Sequence, residues 1–187
     1  MIVALGNGST ELTGPIVDGY GIRQLFVARA QHLSSVSVMF STYKRKNSGQ
    51  IIAEILDTSN RALGNCVVAA EDLKDNSQHV FRFSVDMIPG GTYEFRIRTS
   101  HCRSGMAPTA HHSFSIQKDQ SLFVAGKMQR QRELVCSFEY GALPALSGLT
   151  GERAAKQDGR IVDFLHQEPV LSVVILTKNG LDLITKC

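Results

Sequence analysis

The 187-residue sequence predicts an all-β protein: an antiparallel β-sandwich or jelly roll, then a linker and the first strand of an α/β domain. Three observations carry that prediction. Apolar and polar residues alternate with a period of two through most of the chain, as in strands with one face on a core and one in water. Turn-forming clusters separate these runs at intervals of about 8–15 residues, the rhythm of a sandwich. Helical periodicity is nearly absent before residue 141, where Glu71–Lys74 allows at most one turn.

Taken in order, a first strand is expected around Gln24–Ala28. Val36, Val38 and Phe40 then alternate with Ser35, Ser37 and Ser41, and Lys46-Asn47-Ser48-Gly49 breaks the run. Ile51, Ala53 and Ile55 alternate with Gln50 and Glu54 and end at Thr58-Ser59-Asn60. Asn65–Ala69 is a further strand, and Asp75-Asn76 is a turn. Phe81, Phe83 and Val85 form the next apolar face, closed by Pro89-Gly90-Gly91. Tyr93, Phe95 and Ile97 follow, alternating with Glu94, Arg96 and Arg98. His112–Ile116 and Leu122–Val124 are shorter candidates, and Leu134, Cys136, Phe138 and Tyr140 complete the set. Asn, Asp, Gly and Ser dominate the breaks because they tolerate or cap the tight backbone turns required there. This places a β-sandwich module over residues 1–140 and a linker over 141–168. Val170–Leu176, nearly continuous in apolar residues, reads as a strand buried on both faces. It opens a second domain over 169–187, and it is expected to pair with a sandwich edge or another chain.

Composition narrows the function classes. With 43% hydrophobic and 20% charged residues the chain is an ordinary globular protein. A net charge of +3 gives no electrostatic case for nucleic acid. No segment reaches the ~20 apolar residues of a membrane span, and no secretory leader is readable, so the expected location is cytoplasmic. Cys66, Cys102, Cys136 and Cys187 show no C-x-x-C spacing, which argues against a zinc knuckle or redox motif. No P-loop, dinucleotide fingerprint or Ser-His-Asp order is present.

The string Pro169-Val170-Leu171-Ser172-Val173-Val174-Ile175-Leu176-Thr177-Lys178-Asn179 resembles the opening strand of family 2 glycosyltransferases, with Leu176 where a proline is usual. The resemblance implies that Thr177 and Asn179 lie beside the nucleotide of a sugar donor, at the carboxyl end of a strand in an open α/β sheet. Upstream, Phe40-Ser41-Thr42-Tyr43-Lys44-Arg45-Lys46-Asn47-Ser48-Gly49, the strand ending in Leu56-Asp57, and Leu73-Lys74-Asp75-Asn76 look like a β-sandwich module that accompanies bacterial polysaccharide-assembly transferases. That likeness spans about Gly19 to Tyr140. It implies a glycan or glycan acceptor and the chain's own transferase domain as partners. A divalent metal is expected on the parent transferase, held by a later carboxylate pair, and no cofactor on this segment. Neither that pair nor a catalytic base falls before Cys187, so no catalytic residue is assigned and no turnover is expected.

Within the sandwich the best ligand candidates are Tyr43, Lys44, Arg45 and Asn47, one polar loop after a strand, with Asn76 on a second loop. An aromatic ring flanked by planar hydrogen-bonding side chains is how sandwiches hold sugars. The same residues also suit a plain turn, and Asp75 and Asn76 suit backbone capping. The sequence has no Trp, which weakens the case for a long stacking platform. His101, Cys102, His111 and His112 raise the question of a metal, but adjacent residues on a strand point to opposite faces. Lys127, Arg130 and Arg132 read as a solvated hairpin or an acidic-polymer contact. Two functions stay open: a noncatalytic carbohydrate-binding accessory, or an assembly module, such as a homodimer, that positions a transferase without touching sugar.

Overall fold

The computed structural model describes residues 1–6, 9–19, 21–103, 105–115 and 121–141, all within the unit Met1–Leu146. The expected linker and second domain, including the strand Val170–Leu176 with Thr177 and Asn179, lie outside the described residues. The described residues form thirteen strands: β1 Ile2–Leu5, β2 Thr10–Pro15, β3 Ile22–Val27, β4 His32–Ser41, β5 Gln50–Leu56, β6 Ala62–Ala69 and β7 Ser77–Asp86, then β8 Thr92–Ser100, β9 Thr109–Phe114, β10 Leu122–Val124, β11 Lys127–Gln129, β12 Arg132–Leu134 and β13 Cys136–Tyr140. A 3-10 turn, Ala70–Asp72, stands where the sequence allowed one helical turn. Among the described residues no helix is long and apolar enough to cross a membrane.

All pairings are antiparallel, in a seven-stranded and a six-stranded sheet. The first runs β1-β13-β4-β9-β12, with β7 also on β4 and β2 also on β9; the second runs β11-β10-β3-β8-β5-β6. The inward positions are those the alternation marked. Val36, Val38, Phe40, Ile51, Ala53, Ile55, Phe81, Phe95 and Ile97 are fully buried. Aromatic rings join the sheets: Phe26 stacks on Phe138 with centroids 4.2 Å apart, and Phe95 lies 6.2–6.4 Å from Phe81, Phe83 and Phe138. Each buried Phe contributes about 1.5–3 kcal/mol of transfer free energy, and offset and edge contacts add to it. One polar side chain crosses this core. Gln24, fully buried on β3, accepts the Leu134 N–H at 2.8 Å and donates to the Leu25 carbonyl at 2.9 Å, so burial leaves its amide paired.

The structure adds three strands that the alternation does not mark. β1 pairs with β13, and the Met1 ammonium donates to the Tyr140 carbonyl at 2.8 Å. β2 is a mostly exposed edge with a register shift against β9. β11 closes a hairpin on β10 through Ala125 and Gly126, both at positive φ. The run from Leu134 to Tyr140 is divided at Val135, because there the chain passes from pairing with β9 to pairing with β4. Val135 donates to the His111 carbonyl at 2.8 Å and accepts from the Met39 N–H at 3.0 Å, so the junction leaves no orphan backbone group.

The outer face of the second sheet is a charge ladder. Glu94, with 8% of its side chain exposed, accepts from Arg23 at 2.6 Å and from Arg96 at 2.7 Å, while Arg98 donates twice to Glu54 at 2.7 and 2.8 Å. Burial pushes the Glu94 carboxyl up, but the hydrogen bonds from Arg23 and Arg96 outweigh it and hold the group below the ordinary carboxylate range.

Candidate functional site

The loop between β4 and β5 forms one end of the sandwich, packed beside the 101–107 loop and the segment from Ala70 to Asn76. Its conformation is unusual for its sequence. Tyr43 and Lys44 both adopt left-handed backbone angles, φ 55° each, a region that bulky residues rarely enter. The Asp75 carboxylate holds them there. Its Oδ1 accepts the Thr42 N–H at 2.7 Å, the Tyr43 N–H at 2.8 Å and the Ser41 hydroxyl at 3.0 Å. The backbone bond from Thr42 is the leading cause that keeps the Asp75 carboxyl below its ordinary value, against a smaller opposing effect of burial. Asp75 therefore stays ionised while it organises the turn.

The turn presents its side chains to solvent. Of the described tyrosines only Tyr43 is exposed, at 47%; Tyr93 and Tyr140 are buried in the core. The Arg45 guanidinium sits 4.8 Å from the Tyr43 ring centroid, and its Nη2 lies 3.4 Å from the Ala107 carbonyl. Stacking and that contact restrict both side chains. Lys44, Arg45 and Lys46 are exposed, and none of them pairs with a carboxylate among the described residues. Asn76, exposed at φ 48°, adjoins Asp75 and is thereby brought to the same turn.

Asn47 sits differently. It is 4% exposed, and neither its Nδ2 nor its Oδ1 has a hydrogen-bond partner. Leaving a buried amide unpaired costs about 1–3 kcal/mol, so this loop carries an unfavourable contribution beyond its backbone strain. The neighbouring contacts offset it: Ser48 donates to the Met106 carbonyl at 3.0 Å, the Cys102 thiol to the Ser48 carbonyl at 2.8 Å, and Ala70 to the Gly49 carbonyl at 2.9 Å. Sequence reasoning put Tyr43, Arg45 and Asn47 on one loop and Asn76 on a second; it missed that Asp75 joins the two and that the 101–107 loop supports them, for which no local pattern gives a signal.

The other candidates fall apart spatially. His112 pairs with Leu134 in the ladder and shares its inward face, so His111 points to the opposite side, where its Nδ1 lies 3.3 Å from the Thr10 hydroxyl. Burial pushes both imidazoles below their ordinary value. The Cys102 thiol is raised by burial, and it serves the 43–49 loop as a donor. Among the described residues no group of three or more His, Cys, Asp or Glu is placed to hold a metal ion. Cys66, Cys102 and Cys136 are free thiols. Lys127 and Arg130 are exposed, and Arg132 pairs with Glu11 at 3.1 Å.

The Asp75 carboxylate gives the turn a pH dependence whose sign follows from its lowered pKa. A depressed carboxyl stabilises the fold above its unfolded value, near 3.9, and loses that contribution as pH falls through the lower folded value. The protection of the Thr42 and Tyr43 amides, measured against their intrinsic exchange rates at each pH, should fall on acidification through that window. Asp75→Asn should show the low protection already at neutral pH and no such acid step. Equal exchange in both proteins at neutral pH would mean that the charge is not what holds the turn.

Compared with protein-family models and with curated proteins, the chain matches none.

Proposed function

We propose that the sandwich is a noncatalytic accessory module that holds a glycan at the turn formed by Tyr43, Arg45 and Asn76, in company with a family 2 glycosyltransferase domain. The observation that supports the binding role most is the strained turn itself. Left-handed Tyr and Lys cost of order 1–3 kcal/mol each and persist only where the surroundings impose them, a combination that concentrates at functional sites. What the strain accomplishes is to present the single exposed tyrosine among the described residues, stiffened by Arg45 and flanked by an exposed amide. An aromatic face takes the C–H face of a pyranose, and guanidinium and amide groups take its hydroxyls. Weak binding suffices, because tethering to a transferase raises the effective concentration of the glycan. The transferase half of the reading rests on the 169–179 string, and any divalent metal belongs to that half.

A glycan-array screen of the chain beside Tyr43→Ala tests the binding role. The expected result is binding to a bacterial surface glycan that weakens about five- to tenfold in the variant, at unchanged folding. The second reading, assembly through a sheet edge, is favoured by Val67 on β6 and Val80 on β7, apolar residues 50% and 45% exposed on edge strands. Silence across the array, with a homodimer in light scattering, would replace the first reading by this one.

A further inference from the structure

At the opposite end of the sandwich, a second concavity opens beside the charge ladder. β5 leaves the 43–49 loop at Gln50 and ends at Leu56, so the Asp57–Arg61 turn lies about 20 Å from that loop. The cleft there measures about 250 Å³ and is lined by Arg23, Asp57, Thr58, Asn60, Thr92 and Glu94. Leu25 and Tyr93 supply its apolar lining.

The charged groups of this wall are already paired with one another. Glu94 is clamped between Arg23 and Arg96, and Arg96 continues to the Asn60 Oδ1 at 2.5 Å. Asp57 accepts the Ser59 and Arg61 N–H groups at 2.9 and 3.0 Å and pairs with the Arg61 guanidinium at 3.0 Å. Arg23 is held a second time by Phe123, whose ring centroid lies 5.1 Å from its guanidinium carbon. The groups left without hydrogen-bond partners are uncharged: the Asn60 amide nitrogen and the Thr58 and Thr92 hydroxyls. They stand on a turn fixed by Asp57 and on the first residue of β8, so binding orders few side chains.

The geometry points to a binding site for a single neutral pyranose ring, recognised by the Asn60 amide and the Thr58 and Thr92 hydroxyls. Size and charge both select that class. The volume falls below the ~300–1,000 Å³ of sites for drug-sized ligands. A charged sugar finds no free counter-charge, since Arg23, Asp57 and Glu94 are each already in an ion pair, whereas sugar hydroxyls can accept from the Asn60 amide and both donate to and accept from the two threonine hydroxyls. The site stands independently of the reading of the 43–45 turn.

The test is a titration of the ¹⁵N-labelled chain with methyl glucoside, methyl galactoside, methyl mannoside, glucuronate and glucosamine, followed by amide shifts. At least one neutral glycoside should move Thr58–Arg61 and Thr92–Glu94 and bind more tightly than the two charged sugars. Asn60→Gly keeps the left-handed backbone, φ 61°, and removes the amide; Thr58→Val keeps the shape and removes a hydroxyl. Each should weaken binding about fivefold, the loss of one uncharged hydrogen bond. Thr58→Val serves should the loss of the Asn60 contact to Arg96 perturb folding. No shifts at these residues with any of the neutral glycosides, or tighter binding of glucuronate or glucosamine, would overturn the proposal. Loss of this binding leaves the 43–45 turn unaffected, and Tyr43→Ala leaves this cleft unaffected, so the two sites fail separately.

Discussion

Phe95→Ala should lower the unfolding free energy by about 4 kcal/mol, the largest single effect expected in the sandwich. Phe95 is fully buried at the middle of the second sheet, and its ring meets Phe81 and Phe138 of the first at 6.3 and 6.2 Å. Truncation removes both the buried area and the edge contacts that join the sheets, and flanking strands cannot close the void without moving both layers. For a chain of this size such a loss lowers the melting temperature by roughly 10 °C. Phe114→Ala, 55% exposed on β9, is the matched control and should stay within about 0.5 kcal/mol of the parent. Chemical denaturation of the two variants measures the contrast. A cost below about 1 kcal/mol for Phe95→Ala would mean that the sheets do not pack through this ring.

Gly49→Ala should cost about 3 kcal/mol and disturb the 43–49 loop together with its support. Gly49 has φ +84°, and an added Cβ would stand 2.5 Å from the Ser100 carbonyl oxygen, 2.6 Å from the His101 carbonyl carbon and 2.7 Å from the Cys102 nitrogen. All three are backbone atoms, so no side-chain rotation relieves the overlap. The 100–102 backbone must move, and with it the Cys102 bond to Ser48. The turn at Tyr43 therefore loses its seating along with stability. Phe95→Ala behaves otherwise: molecules that still fold keep the turn intact. Amide spectra of Gly49→Ala should show displaced signals from Tyr43 to Ser48 and from His101 to Ala107. Displacement confined to Gly49 and its chain neighbours would contradict the shared seating.

Much of the fold was legible because burial in a two-layer sandwich writes itself as a period of two. Val36 to Phe40, Ile51 to Ile55 and Tyr93 to Ile97 are central strands with one face on the core, and the alternation named their inward residues. The strands it missed are those where that rule does not operate. Ile2–Leu5 is four consecutive apolar residues on an edge, where Ile2 is 69% exposed. Thr10–Pro15 is a mostly exposed edge whose register shifts before its terminal proline. The break at Val135 reflects a change of partner strand, which no local pattern encodes.

The candidate turn was legible in part. A Tyr, three basic residues, an Asn and a Gly after a strand mark a loop with chemistry on it, and the Asx pair at 75–76 marks a cap. That the cap of one loop is the anchor of the other, through Asp75 and the Thr42 and Tyr43 N–H groups, depends on strands meeting across 32–33 residues of sequence. The burial of Asn47 depends likewise on the 101–107 loop. The cleft at Asn60 is assembled from β3, β8 and the turn after β5, none adjacent in sequence to the others.

The central claim, a glycan seated on the Tyr43 turn, is tested most directly by mapping amide shifts of the ¹⁵N-labelled chain during titration with oligosaccharides released from bacterial surface polysaccharides. The account predicts saturable shifts at Tyr43–Arg45 and Asp75–Asn76 that vanish in Tyr43→Ala. Shifts absent from that turn, whether the oligosaccharides bind elsewhere on the chain or nowhere, would contradict it.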